Sequence, residues 1–101
     1  MTSDHTLLAD YAGKGSEQAF HELVTRYINL VYSTAFRLVN GDTHLAEDIS
    51  QMVFTDLARL AGTLSQDVML GGWLHRRTCH VGMSTLRRER RREHRETEAA
   101  V

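Results

Sequence analysis

Residues Phe20–Leu38 read FHELVTRYINLVYSTAFRL, and their spacing decides the fold class. Phe20, Leu23, Val24, Tyr27, Leu30, Val31, Thr34, Ala35 and Leu38 recur at steps of three and four, which is the period of one helical face. That face runs for about six turns, too far for a lone surface helix, so other helices must cover it. Ser16 is placed to cap its start, with Glu17 in the first turn. Asn40-Gly41 ends it, because both residues tolerate the left-handed backbone that a helix C-terminus often needs.

The neighbouring stretches supply those partners. Upstream, Thr2, Ser3 and Asp4 are N-cap candidates for a short helix carrying Leu7, Leu8 and Tyr11, expected to stop at Gly13 before a Gly-Lys-Gly connection. Downstream, Asp42 or Thr43 opens a third helix with Leu45, Ile49, Met52, Val53, Leu57 and Leu60 inward. Its outward side carries His44, Glu47, Asp48, Gln51, Thr55, Asp56 and Arg59, and Gly62 closes it. Thr63–Met69 loses the period and reads as a loop. A fourth helix begins near Gly71, with an inner stripe of Leu74, Thr78, Val81 and Thr85 joined by Trp73 and Leu86. The opposite stripe is Arg76, His80, Met83, Arg87 and Arg90. Nothing apolar recurs beyond Arg92 until Ala-Ala-Val, so the tail 96–101 is expected to fray. The fold class is therefore all-α: a compact bundle of four main helices forming one domain over residues 1–95.

Composition agrees. A chain of 101 residues has room for one core, and the complete absence of proline favours long helices over a turn-rich sheet. The net charge of −1 conceals a separation of sign: residues 1–75 hold four basic and nine acidic groups, residues 76–101 eight and four. Two surfaces meeting different partners would use such a division. Cys79 stands alone, which fits a reducing compartment. The N-terminus lacks the basic and apolar regions of a signal peptide, and no apolar run reaches membrane-span length. The expected location is the cytoplasm, with no membrane partner.

Arg87–Arg92 holds five arginines and one glutamate, more positive charge than its own helix neutralises. Guanidinium groups in a row along a helix suit bidentate contact with phosphates; a solvated face, or one meeting an acidic protein, is the alternative. Ser65, Gln66 and Asp67, followed by Gly71-Gly72, offer donors and acceptors where a backbone approaches closely. Trp73 could stack on a base, although beside Leu74 it reads first as core. The acidic face of the third helix suits protein docking or solvent. His75 with Cys79 falls short of a zinc site, since His80 points about 100° away. No nucleophile, phosphate-loop or zincin pattern occurs, so neither enzyme, cofactor nor metal is expected. A metal-dependent bundle enzyme using Glu22, His44 and Asp48 is the weakest alternative.

The order AFHELVTRY, VYSTAFRLVNGD, AEDISQMVFTDLARL, GGWLHRRTCHVGMSTLRRERRRE resembles region two of bacterial RNA polymerase sigma factors, most of all the extracytoplasmic-function (ECF) kind, from about Asp10 to Arg92. The resemblance implies a transcription initiation factor that binds RNA polymerase core and recognises and melts the −10 promoter element. By position it puts Asp48, Gln51 and Met52, with Glu47, Thr55 and Arg59 beside them, against the β′ clamp coiled coil. It puts the Thr63–Met69 loop (Ser65, Gln66, Asp67) and the following helix (Arg76, His80, Arg87, Arg90) against promoter DNA. A nontemplate base is expected to be flipped into a pocket of that loop. An anti-sigma factor is a further partner class that the resemblance leaves open. Met52 stands where the family often has glutamate, which implies a more apolar polymerase contact there; His80 stands where asparagine is common and Ser84 where aspartate is, so base preference and local salt bridging do not carry over at those two positions. The family normally adds a helix-turn-helix for the −35 element; residues 96–101 are expected to begin the linker to it, unless the domain stands alone. The rival reading is a helical interaction module whose arginines bind an acidic protein.

Overall fold

The computed structural model describes residues 1–100; of the tail expected to fray, Val101 lies outside the described residues. Four helices follow one another: α1 Asp4–Lys14, α2 Glu17–Leu38, α3 Thr43–Leu60 and α4 Leu70–Ala100, with a short 3₁₀ turn at Ala61–Thr63. No strand occurs among the described residues, so the all-α bundle read from the sequence is the observed architecture.

Local chemistry explains the boundaries. Ser3 Oγ accepts from the Thr6 amide at 3.1 Å, Ser16 Oγ from Ala19 at 3.2 Å, and Asp42 Oδ1 from Leu45 at 3.1 Å, each satisfying an amide that has no partner within its helix. α1 runs past Gly13, where it was expected to stop, and ends at Lys14. The left-handed residue that its C-terminus needs is Gly15, with φ 67°, where the Gly15 amide bonds the Tyr11 carbonyl at 2.9 Å. Asn40 and Gly41 take φ 52° and 83° and end α2 as their residue types predict.

α2 packs against all three other helices. Its buried positions follow a ridge in steps of four, Ala19, Leu23, Val31, Ala35 and then Val39, with Tyr27 half-buried in the same row. Leu30, expected on the inner face, is 36 % exposed: the i, i+4 ridge that interdigitates with neighbouring helices leaves it at the edge. α3 packs on both α2 and α4 and buries Ala46, Ile49, Ser50, Val53, Phe54 and Leu57. Three buried hydroxyls bond carbonyls one turn back on their own helices: Thr34 to Leu30 (2.8 Å), Ser50 to Ala46 (2.8 Å) and Thr78 to Leu74 (2.7 Å). Thr85 Oγ1 is buried without a partner among the described residues.

α4 crosses α2 closely. A Cβ at Gly82 would lie 2.7 Å from Leu38 Cδ1, and one at Gly71 would touch the Tyr27 ring at 3.5 Å. Trp73 packs half-buried on the core, the plainer of its two readings. The tail expected to fray is helical: α4 continues to Ala100, supported by one-turn pairs such as Arg92–Glu89 and His94–Glu98, both 2.9 Å. This overhang gives the molecule its 56 Å long dimension against 22 Å in the other two.

Candidate protein-docking and nucleic-acid faces

The outward side of α3 is flanked by two grooves. Between α2 and α3 lies one of about 630 Å³, and its α2 wall is a second row in steps of four: Phe20, Val24, Ile28 and Tyr32. Ile28 is 36 % exposed. Facing this row from α3 are Glu47, Gln51, Phe54 and Thr55. Apolar side chains rimmed by polar ones form the pattern of a protein-docking surface. Ile28 lies outside the nine-residue face predicted from spacing, because that face is two adjacent ridges and not one stripe.

Between α3 and α4 lies a more polar groove of about 640 Å³. Asp48, Gln51, Met52 and Thr55 enter it from α3, and Arg77, His80, Ser84 and Arg88 from α4. Of the six residues expected to dock on protein, Glu47 thus borders the first groove, Asp48 and Met52 the second, and Gln51 and Thr55 form the crest shared by both. Arg59 reaches neither groove; its guanidinium is held by Asp56 at 3.1 Å. His80, expected on the nucleic-acid side, shares a groove with Asp48 and Met52, so the two surfaces adjoin.

Asp56 joins the two elements. Its Oδ2 accepts from Arg77 Nε of α4 at 2.8 Å and its Oδ1 from Arg59 at 3.1 Å. Burial opposes its charge, but the bonds from Arg77 and then Arg59 outweigh that and hold its carboxyl below the ordinary value of 3.8. Asp56 and Arg77 are 21 residues apart on different helices, so no spacing rule could have paired them.

At the other end of α4 the loop after the 3₁₀ turn is folded on itself: the Asp67 amide donates to Ser65 Oγ and the Val68 amide to the Ser65 carbonyl, both 3.1 Å. Ser65 and Gln66 line a small pocket of about 160 Å³ whose other wall is α1, through His5, Leu8 and Ala9. Asp67 is exposed outside it. The sequence offers no signal for this contribution of α1. Asp4 at the head of α1 accepts from Arg26 Nη1 at 2.9 Å and from the Tyr27 hydroxyl. Burial, and then donation to that carboxylate, push the Tyr27 phenol up to about 12.

Arg76, Arg87 and Arg90 are exposed on α4. Arg90 gathers with Arg91, His94 and Arg95 beyond the end of the core. The three residues of the metal-enzyme alternative are not brought together: Glu22 pairs with Arg26 at 3.0 Å, and no group of three or more His, Cys, Asp or Glu side chains suited to a metal ion occurs among the described residues. No helix among them is long and apolar enough to cross a membrane.

Comparison with known proteins gives a consistent pattern. Residues 23–92 match the family model described as Sigma-70 region 2. The chain is 36 % identical over 73 residues to the ECF RNA polymerase sigma factor SigE of Mycolicibacterium smegmatis. That match covers 72 % of this chain but only 28 % of that protein, so the chain spans a minor part of the relative's length. The fold superposes with a TM-score of 0.80 and 26 % identity on an engineered region 2 of sigmaE, solved by NMR in complex with GTAAAA, over 90 % of this chain and 93 % of that one.

Proposed function

Since the chain belongs to the Sigma-70 region 2 family, we propose that it is the part of an ECF-type sigma factor that docks on RNA polymerase core and recognises and melts the −10 promoter element. The observation that carries this reading is the likeness, across nine-tenths of the chain, to a region 2 captured in complex with GTAAAA. It is reinforced by the placement of a polar, self-bonded loop at the head of the arginine-bearing helix. The factor acts by binding, with no covalent step, wherever polymerase is, in the cytoplasm.

Docking on the β′ clamp coiled coil is assigned to the crest of Gln51 and Thr55 with Glu47, Asp48 and Met52, extended by the apolar α2 row. Arg59 has a bracing part through Asp56. Promoter contact is assigned to Ser65, Gln66 and Asp67 for unpaired nontemplate bases, to Arg76 and His80 at the junction, and to Arg87 and Arg90 for phosphates. Strands open because unstacked bases are held better than paired ones, while backbone contacts supply affinity without sequence preference. An anti-sigma factor would compete for the same docking grooves.

The test compares binding of this domain to nontemplate-strand oligonucleotides in which each −10 base is changed in turn. A base-dependent ranking that shifts when Ser65–Asp67 is replaced supports the reading. Equal binding to every sequence and to an arbitrary polyanion would favour the rival, an interaction module with an acidic partner.

A further inference from the structure

The loop at residues 64–69 is anchored at both ends. At its start Ala61 is buried and Leu64 half-buried, and the 3₁₀ turn Ala61–Thr63 packs on α1. At its end Val68 is half-buried, and Leu70 is buried at the head of α4. Ser65, Gln66 and Asp67 are exposed between them. One side chain joins the two anchors. A Cβ at Gly71 would lie 3.5 Å from the Tyr27 ring, so the ring and the head of α4 approach closely. The Tyr27 hydroxyl donates to Asp4 Oδ2 at the head of α1, whose Oδ1 accepts from Arg26 Nη1 at 2.9 Å. α1 in turn walls the pocket of the loop through His5, Leu8, Ala9 and Ala12. Contact therefore runs from the end of the loop through Tyr27 and Asp4 to α1, and back to the start of the loop. With its phenol pushed up to about 12, Tyr27 keeps the proton it donates throughout the neutral range.

From this closed path we infer that Tyr27 and Asp4 are positioning residues for base recognition, fixing the span of the loop so that Ser65, Gln66 and Asp67 meet one arrangement of bases. The inference rests on the proposed function and deepens it, since both residues lie outside the loop and α4, the elements given to promoter contact. The physical reason is the small error that recognition tolerates. Base edges are told apart by hydrogen bonds, which weaken steeply once donor and acceptor leave their preferred distance and angle. The bonds inside the loop, from the Asp67 amide to Ser65 Oγ and from the Val68 amide to the Ser65 carbonyl, hold the shape of its turn but not the separation of its ends. That separation is set by what α1 and α4 lean on, and both lean on Tyr27. Phosphate contacts tolerate a small shift of the loop, because they position the duplex without reading its sequence.

The readout is a ratio: affinity for the preferred nontemplate −10 oligonucleotide over affinity for the same strand with one −10 base changed. Loss of folded chain lowers both affinities by the same factor and leaves the ratio alone, so a tie that served only the fold would not move it. Tyr27→Phe keeps the ring against Gly71 and removes only the hydroxyl. It should lower the ratio about threefold or more, with the salt dependence of binding unchanged because every arginine of α4 is still present. Asp4→Ala should lower the ratio similarly, and the double variant no further than either alone, since both remove one tie. Ile49→Val, an ordinary loss of packing in the core, should leave the ratio where it is. A ratio held by Tyr27→Phe and Asp4→Ala, or lowered equally by Ile49→Val, would overturn the positioning role while the proposed function stood. An unsubstituted chain with no preference among −10 bases would overturn both.

Discussion

Gly13 and Gly15, two residues apart, illustrate how much one side chain decides. Gly13 sits in an ordinary turn of α1, and a Cβ added there would meet nothing within 4 Å, whereas Gly15 holds φ 67°. Gly13→Ala should therefore stabilise the fold by about 0.5–1 kcal/mol, and Gly15→Ala should destabilise it by about 1 kcal/mol, measured by urea unfolding. The caps at Ser3, Ser16 and Asp42 were legible in the sequence because they are local. The role of Asp56 was not, because its contact with Arg77 is set by packing. Its ion pair stabilises the fold above the ordinary carboxylate pKa and is lost as pH falls through the lower folded value. Asp56→Asn should cost about 1–2 kcal/mol near pH 7, and that difference from the unsubstituted chain should shrink steadily below pH 4. A penalty independent of pH would show that the bridge to Arg77 contributes nothing.

At the scale of the helix, α2 holds the lesson. Its period was evident, but a period of three and four does not say how wide the buried stripe is. The structure resolves it into one ridge that is core and another, Phe20 to Tyr32, that borders a groove. Core positions respond to volume and docking positions to their partner, so substitutions on the two ridges should separate. Ile28→Glu should leave the melting temperature within a few degrees of the parent while weakening affinity for the β′ coiled coil about tenfold or more. Asp48→Ala, on the other groove, should weaken it less and in a salt-dependent way. If a pull-down with the coiled coil retained Ile28→Glu at full strength, the α2 row would not belong to the docking surface. In α4 the spacing identifies the inner stripe correctly but not the extent of the helix, because the tail lacks the apolar residues by which helices are recognised.

Across the whole molecule, the charge separation visible in the sequence became geometry: an apolar groove edged by Glu47 and a groove of mixed charge along α3, and a basic ridge along α4. What the sequence could not show is that these surfaces adjoin, with His80 beside Asp48 and Met52 and with Asp56 and Arg77 bridging the elements. Nor could it show that α1 closes the loop pocket or that Asp4 fastens α1 to Arg26 and Tyr27. Such facts depend on how helices are stacked, and stacking is encoded by shape complementarity instead of period.

The overhang also divides the domain into two regimes of cooperativity. Residues 70–86 of α4 unfold only when the core does, but residues 87–100 lie beyond the core and depend on propensity and one-turn ion pairs. In hydrogen–deuterium exchange, amides beyond Leu86 should exchange within seconds to minutes and those around Leu74–Thr78 orders of magnitude more slowly. A protease should accordingly trim the free chain from its C-terminal side and stop near Leu86. Uniform protection along α4 would contradict this. A helix that its own domain does not stabilise is one whose order is available to be set by whatever it grips.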